Sequence, residues 1–162
     1  MATSADSLPD DGRDETPNER ADRNWDELLQ ELRVMQTGTQ ILGGFLLAVA
    51  FQSRFTELDS YQLTLYVVLV VLATLATVLA LTPVSLHRLN FGTQRKPAIV
   101  TRASRITIAT LGVVGVLTVG VATLIVDFVL GRSAGIATTI VGIVVVSVAW
   151  LVLPRIARSR DE

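Results

Sequence analysis

Four long apolar runs, each free of lysine, arginine, aspartate and glutamate, constrain this sequence more than any other feature. A helix that crosses a bilayer needs about 20 mostly apolar residues, and each run reaches that length. Backbone polar groups in hydrocarbon need partners within their own segment, so runs of this kind are expected to be helical. The sequence therefore predicts an all-α, polytopic membrane protein with four transmembrane helices. The predicted spans are residues 34–52, 61–82, 106–126 and 134–153, within a transmembrane domain over 24–156.

The first run is the most polar of the four, because it contains Gln36, Gln40 and the glycine pair Gly43–Gly44. A re-entrant or interfacial helix is therefore the alternative to a full span at this position. An apolar face precedes the run at helical spacing, and Asn24 followed by Glu27 fits a capping box. We expect one long helix over about residues 24–51, with its first turns at the inner membrane interface. The apolar face comprises Trp25, Leu28, Leu29 and Leu32.

The basic residues predict the orientation of the chain. Lysine and arginine are concentrated in cytoplasmic segments. Twelve of the fourteen lie before the first run, between the second and third runs, or after the fourth run. The connections at 53–60 and 127–133 contain one each. The pattern predicts that both termini are cytoplasmic and that two antiparallel hairpins are joined by a basic cytoplasmic loop at 83–105.

The segments outside the four runs differ in charge. Residues 1–23 are acidic and lack apolar periodicity, which predicts a disordered cytoplasmic tail, and residues 157–162 form a second, short tail. The loop at 83–105 is expected to be partly helical, since Asn90–Gly92 is typical of a helix stop and Pro97 suits an early start of the third helix. The loop contains five basic residues and no acidic one. It could bind anionic lipid head groups, at about 1 kcal/mol per basic residue, or receive the acidic tail, or carry only the charge that sets topology. The candidate lipid contacts are Arg88, Arg95, Lys96, Arg102 and Arg105.

A polar stripe on the first helix is the most informative feature inside the predicted membrane region. Its members are spaced three or four residues apart and so share one helix face. The stripe could line a polar pathway or binding cleft, or it could join helices through hydrogen bonds and close packing. The stripe comprises Arg33, Gln36, Gln40, Gly43 and Gly44.

Charged residues also gather in the two predicted outer connections. Asp127 directly follows the third run, so we expect it at the outer membrane boundary. The cluster could be an outer ion gate, a catalytic group or, more simply, a solvated set of salt bridges. The cluster comprises Arg54, Glu57, Asp59, Asp127 and Arg132.

Cofactor and nucleic-acid chemistry find little support in the sequence. The chain has no cysteine and a single histidine, His87, which cannot form a metal site by itself. Phosphate-binding, dinucleotide-binding and nucleophile-elbow motifs are absent, and the basic loop lacks the interleaved aromatic residues of a nucleic-acid surface. We therefore expect no bound cofactor, no metal and no nucleic-acid partner.

The sequence resembles a known family along most of its length. The clearest stretch is residues 24–59, NWDELLQELRVMQTGTQILGGFLLAVAFQSRFTELD, with His87–Arg88 and Arg95–Lys96–Pro97 adding to it. These residues resemble DUF6328, a family of small actinobacterial membrane proteins of unknown function. The resemblance covers about residues 20–155. It implies a four-helix integral protein of the bacterial plasma membrane and no particular activity.

Three functions remain open at this level. The first is a non-enzymatic membrane protein, oligomeric or accessory, that acts by interaction. The second is a small cation or proton transporter or channel lined by Gln36 and Gln40. Some members of the resembled family carry a sodium:proton antiporter label, although no carboxylate lies in the middle of any of the four runs. The third is a membrane enzyme that uses the outer charged cluster.

Overall fold

The structure is a computed structural model that describes residues 16–89 and 96–158, and all regular secondary structure in this part of the chain is helical. A 3₁₀ helix connects the first two long helices, and a π-helical turn connects the fourth helix to a short fifth one. The helices are α1 Pro17–Val49, 3₁₀ Ser53–Glu57, α2 Ser60–Leu89, α3 Lys96–Leu130, α4 Arg132–Ser147, π Val148–Val152 and α5 Leu153–Arg158. The predicted all-α class is confirmed for these residues.

Three stretches are long and apolar enough to cross a membrane: Ser60–Ser85, Ala103–Leu130 and Arg132–Val152. They correspond to the second, third and fourth predicted spans. The first predicted span, at 34–52, lies mainly on α1 and is not among these stretches. Its glutamines, threonines and glycines lower its apolar content. A fourth span therefore stays a prediction at this stage.

The first helix begins earlier than its sequence suggested. The Thr16 hydroxyl accepts a hydrogen bond from the Glu19 backbone N–H at 3.3 Å, and the Thr16 N–H donates to the Glu19 carboxylate at 2.9 Å. This capping box, followed by Pro17, starts α1. The predicted start at Asn24 is wrong, because Thr16 and Glu19 form the same motif eight residues earlier. Residues 17–23 are consequently helical, while residues 1–15 of the predicted tail lie outside the described residues.

The connections between helices are shorter than predicted. α2 continues through Pro83, which is fully buried, to Leu89, and α3 begins at Lys96. Most of the predicted loop at 83–105 is therefore helical. Between α3 and α4 only Gly131 is non-helical, although a connection at 127–133 was predicted. Its φ of 92° falls where side chains are strained, which explains a glycine at this turn.

The first three helices pack around a shared core. Buried residues on α2 recur at alternating spacings of four and three, as in left-handed helix packing. Many are small, which lets membrane helices approach closely. The Tyr66 hydroxyl on α2 donates to the Leu46 carbonyl on α1 at 3.0 Å, within a cluster that also contains Leu69 and Leu117. The buried α2 residues are Gln62, Tyr66, Leu69, Ala73, Ala76, Ala80 and Pro83.

The apolar face predicted on the first turns of α1 belongs to the same packing. Leu28 and Leu32 are buried within the chain, and Trp25 and Leu29 on that face are half-buried. The face was predicted correctly. Its two central leucines, Leu28 and Leu32, are buried within the chain, and their position at the inner membrane interface stays a prediction.

The fourth helix packs along α3 through small residues. A Cβ placed on Gly142 would lie 2.9 Å from a Val119 methyl group, and the Thr123 and Thr139 hydroxyls are 2.9 Å apart. Only 6% of the most apolar segment of α4 is buried, against 28% for α2 and 33% for α3. α4 is thus the peripheral helix of the bundle.

Candidate functional site

The most distinctive polar residue of the structure is Asp127, near the end of α3. Its side chain is only 2% exposed. A buried carboxylate requires both hydrogen bonds and an opposite charge to offset its lost hydration. The groups that supply them come from α2 and α4, so the surroundings of Asp127 join three helix ends.

Gln62 on α2 provides the shortest contact to Asp127. Its side-chain N–H₂ donates to Asp127 Oδ1 at 2.7 Å. The same amide accepts, through its oxygen, the Asp59 backbone N–H at 3.0 Å, while Asp59 Oδ1 accepts the Gln62 backbone N–H at 2.8 Å. Asp59 and Gln62 thus form a reciprocal cap at the start of α2. Gln62 therefore links this helix start to the buried carboxylate.

Arg132, the first residue of α4, provides the positive charge. Its Nη2 lies 2.6 Å from Asp59 Oδ2 and its Nη1 lies 3.3 Å from Asp127 Oδ2. The guanidinium also stacks on the Tyr61 ring, 3.7 Å from the ring centroid. Cations over aromatic rings gain a further modest stabilisation. We call Asp59, Gln62, Asp127 and Arg132 the Asp127 cluster.

Gly135 makes room for the buried carboxylate on α4. A Cβ at this position would lie 2.7 Å from both Asp127 Cβ and Asp127 Oδ2. Real Cβ atoms do not approach other atoms so closely, so the glycine allows the first turn of α4 to lie against the carboxylate.

Asp59 differs from Asp127 in its exposure, because its side chain is more than half exposed. The backbone N–H of Gln62 donates to the carboxylate and holds the pKa of Asp59 below its usual range. Burial opposes this shift, and the hydrogen bond and charge of Arg132 add to it. Asp59 is therefore a carboxylate at neutral pH.

The structure brings together only part of the predicted outer charged cluster. Asp59, Asp127 and Arg132 converge, whereas Arg54 and Glu57 form a separate exposed pair at 2.9 Å. Arg54 lies over the Phe128 ring, 4.7 Å from its centroid. The simpler interpretation, a solvated set of salt bridges, is right for the Arg54–Glu57 pair. It is wrong for Asp127, which neighbouring helices cover.

Sequence reasoning missed Gln62, although a signal for it was present. Asp59 and Gln62 have the spacing of a capping box, the same pattern that was examined at Asn24. Gln62 lies just inside a long apolar run, so in the sequence it resembles an ordinary polar residue near a membrane boundary. Its second hydrogen bond, to Asp127, depends on how α2 and α3 pack and has no local signal.

Three of the five residues of the predicted polar stripe line a groove between α1 and α2. This groove has a volume of about 230 Å³ and is lined by Gln40, Gly43 and Gly44 from α1 and by Thr74 and Thr77 from α2. A Cβ on Gly43 would lie 3.8 Å from the Ala73 Cβ, while nothing lies within 4 Å of one on Gly44. Arg33, further along α1, is exposed.

The two glutamines of the stripe differ in exposure but share one property. Gln40 is exposed and Gln36 is half-buried. Among the residues that the structure describes, none forms a hydrogen bond with either carboxamide. The buried Thr39, which lies between them in sequence, instead donates to the Met35 carbonyl at 2.8 Å. An amide without a hydrogen-bond partner in hydrocarbon costs about 4 kcal/mol or more. If α1 lies in a membrane, a hydrogen-bond partner would therefore stabilise either carboxamide.

The basic residues of the predicted loop are described only in part. Arg88 near the end of α2 and Arg105 on α3 are exposed. Lys96 and Arg102 lie on the first turns of α3, and Arg95 lies outside the described residues. Within residues 16–89 and 96–158, no three histidine, aspartate or glutamate side chains are grouped closely enough to hold a metal ion.

The chemistry available to the Asp127 cluster follows from these contacts. Both oxygens of Asp127 are engaged, one by Gln62 and the other by Arg132, and Asp59 is engaged by the same two residues. The cluster holds the ends of α2, α3 and α4 together. The unpaired carboxamides of α1 are in contrast free to form new hydrogen bonds.

Comparison with known proteins gives a family but no characterised relative. Searches of curated proteins and of solved structures found no match to this chain. A family model described as a family of unknown function, DUF6328, matches residues 14–154. This match includes α1 to α4 and the Asp127 cluster. The chain therefore belongs to the DUF6328 family.

Proposed function

We propose that the chain is a four-span protein of the bacterial plasma membrane with both termini in the cytoplasm, arranged as two hairpins. The three apolar stretches on α2, α3 and α4 supply three spans. The fourth is the part of α1 that packs beside α2. Twelve of the fourteen basic residues then lie on the cytoplasmic side.

The packing of α1 against α2 supports this fourth span. Gly43 faces Ala73, which lies at the middle of the apolar stretch Ser60–Ser85. Nearer the end of α1, Leu46 accepts a hydrogen bond from Tyr66. The two helices are therefore antiparallel, and α1 lies at the same depth as α2. At 1.5 Å per residue, Gln40 would lie only about 5 Å from the bilayer centre.

The function we propose is a non-enzymatic one, in which this protein acts by associating with other membrane helices, as an oligomer or as an accessory subunit. The observation that carries the proposal is the Gln40 carboxamide. It lies near the bilayer centre and has no partner among the described residues of its own chain. Polar side chains inside a membrane commonly hydrogen-bond across helices, and the neighbouring Gly44 lets a second helix approach closely.

The core of the bundle supports the same function. Leu69, Ala73 and Leu117 fill the centre between the first three helices. The buried hydroxyls of Thr39, Thr107 and Thr110 donate to carbonyls of their own helices. Among the described residues of this core, none at mid-depth carries a charged side chain. The unpaired Gln40 amide instead faces outward, where another helix can reach it.

Association is tested by reconstituting purified protein in lipid nanodiscs at several protein-to-lipid ratios and measuring the mass of the complex. We expect assemblies of two or more chains, or a stable complex with a partner that crosslinks to this protein in cells. A protein that stays monomeric at every ratio, with no crosslinked partner in cells, would contradict the proposal.

A second function, cation or proton transport, is favoured by one observation. Gln40, Thr74 and Thr77 place polar atoms along one groove of about 230 Å³ at membrane depth. If several chains face one another through this groove, these atoms would line a pathway. Ion flux into vesicles that contain a pH-sensitive dye tests this function. Transport requires flux above that of empty vesicles and its loss in the double variant Gln36→Leu/Gln40→Leu.

A further inference from the structure

We infer that the partner of the α1 surface is a second copy of this chain, held by a Gln40–Gln40 hydrogen bond across a two-fold axis. The inference rests on the proposed membrane association and names its partner and contact. The surface consists of outward-facing residues of α1, which we call the α1 stripe. The stripe comprises Arg33, Thr37, Gln40, Gly44 and Leu47, all of them exposed.

The spacing of the α1 stripe is that of a helix–helix seam. Its members are separated alternately by four and three residues, the repeat that keeps one face of a helix against a parallel partner. The opposite face of α1, which includes Leu32, Thr39 and Leu46, is already buried against α2 and α3. α1 therefore has two faces suited to packing against another helix, and one of them is covered by helices of the same chain.

The chemistry of Gln40 selects a copy of the same chain as the partner. A carboxamide is both a donor and an acceptor, so two of them can pair with each other and satisfy both groups. Two copies inserted in the same orientation are related by a two-fold axis along the membrane normal. At such an axis a residue of the seam meets its own counterpart. Gln40 would then face Gln40 of the second copy.

The residue one turn beyond Gln40 fits this contact. Gly44 has no atoms within 4 Å of the position where a Cβ would stand. The backbones of two α1 helices can therefore come close beside the paired amides, as small residues allow in membrane helix dimers. Towards the cytoplasm, Arg33 is about 15 Å from the bilayer centre, where its charge can reach water.

Disulfide crosslinking in cell membranes tests the geometry directly, because the chain contains no cysteine and single cysteines can be introduced cleanly. We expect Thr37→Cys and Leu47→Cys to form dimers on mild oxidation. Ile41→Cys is the matched control, since Ile41 is next to Gln40 and 68% exposed but lies off the stripe. Val141→Cys reports on the exposed face of α4, where this side chain is 60% exposed. Both controls should stay monomeric.

The role of Gln40 is tested by dimer dissociation in lipid vesicles, followed by energy transfer between labelled copies. We expect Gln40→Leu to weaken the dimer about three- to twentyfold, the range of hydrogen bonds between membrane helices. Gln40→Asn keeps an amide and should restore much of the affinity. Gln36→Leu should change the affinity little, because Gln36 is half-buried and is not one of the five α1 stripe residues.

The outcomes separate this inference from the function on which it rests. Dimers that crosslink through Val141→Cys and not through the α1 positions would overturn the inference and leave association standing. Association that is unchanged in Gln40→Leu would also overturn it. Monomers under every condition would overturn the inference, and together with the lack of any crosslinked partner in cells they would contradict the proposed function as well.

Discussion

Two contacts, with Gln62 and Arg132, offset the burial of Asp127, and they make it the residue whose substitution should destabilise the fold most. In Asp127→Leu, the Gln62 amide loses its acceptor and Arg132 keeps only Asp59. Because Arg132 is 40% exposed, we expect a loss of about 2–3 kcal/mol in the free energy of unfolding, near the lower limit for broken buried pairs. Asp127→Asn keeps an acceptor for Gln62 and should cost less, about 1–2 kcal/mol.

Unfolding in nanodiscs measures both variants, with Glu57→Gln as the control. Glu57 belongs to an exposed ion pair, which should contribute less than about 1 kcal/mol. Equal, small losses for Asp127→Leu and Glu57→Gln would show that the Asp127 cluster does not hold the helix ends together.

Glycines along α3 and α4 give a second prediction at the residue scale. Gly135→Ala would place a Cβ 2.7 Å from Asp127 Cβ, an atom that can move only with its backbone. We expect a loss of about 1–3 kcal/mol, as for other overpacked sites. Gly112→Ala is the matched control, since nothing lies within 4 Å of its added Cβ. If the thermal stabilities of the two variants are alike, the close approach of α4 to Asp127 is not required.

The residues of the Asp127 cluster show how far sequence reasoning reaches at this scale. The three charged members of the cluster were predicted as candidate site residues because they flank apolar runs in the predicted outer connections. Their convergence could not be predicted, because it depends on the packing of α2, α3 and α4. Gln62 could have been found from its capping spacing to Asp59, but its bond to Asp127 could not.

At the scale of the elements, the start of α2 should respond to acid. The pKa of Asp59 is held low in the folded chain, chiefly by the Gln62 backbone N–H, so ionised Asp59 stabilises the fold. A lowered pKa gives stability that is present above the unfolded value, about 4, and is lost as pH falls through the folded value. We expect a constant melting temperature between about pH 7 and 5 and a decrease below about pH 4.

Asp59→Asn separates this contribution from that of other carboxylates. Asparagine can still cap α2 but cannot pair with Arg132 as a charge. The variant should melt lower than the unmodified protein at neutral pH, and the difference should shrink in acid. A difference that stays constant from pH 7 to 3 would contradict the role given to ionised Asp59.

The presence of the helices was easier to predict from the sequence than the residues at which they begin and end. The apolar runs identified α2, α3 and α4 because a membrane requires that length and composition. Two helix ends were missed in the same direction, since α1 starts before Asn24 and Gly131 alone separates α3 from α4, whereas the early start of α3 agrees with the position of Pro97. These extensions depend on a local cap at Thr16 and on packing beyond the apolar runs, which hydropathy does not register.

At the scale of the whole molecule, we propose that α1 crosses the membrane together with the three more apolar helices. This proposal is based on the packing of α1 more than on its composition, because α1 is too polar to be recognised as a span by itself. The contacts of α1 with α2 at Gly43 and Leu46 support this position in the membrane. The association proposed through Gln40 also requires this depth.

The most direct test is the labelling of single cysteines in intact cells with a maleimide that cannot cross the membrane. The positions that decide are Glu27→Cys before the proposed span and Thr56→Cys after it, both exposed. Ser133→Cys and Arg155→Cys are the controls for the two ends of α4 and its continuation. We predict that Thr56→Cys and Ser133→Cys are labelled in intact cells, and that Glu27→Cys and Arg155→Cys are labelled only after permeabilisation. Labelling of Glu27→Cys and Thr56→Cys from the same side would contradict the account, because α1 would then not span the membrane.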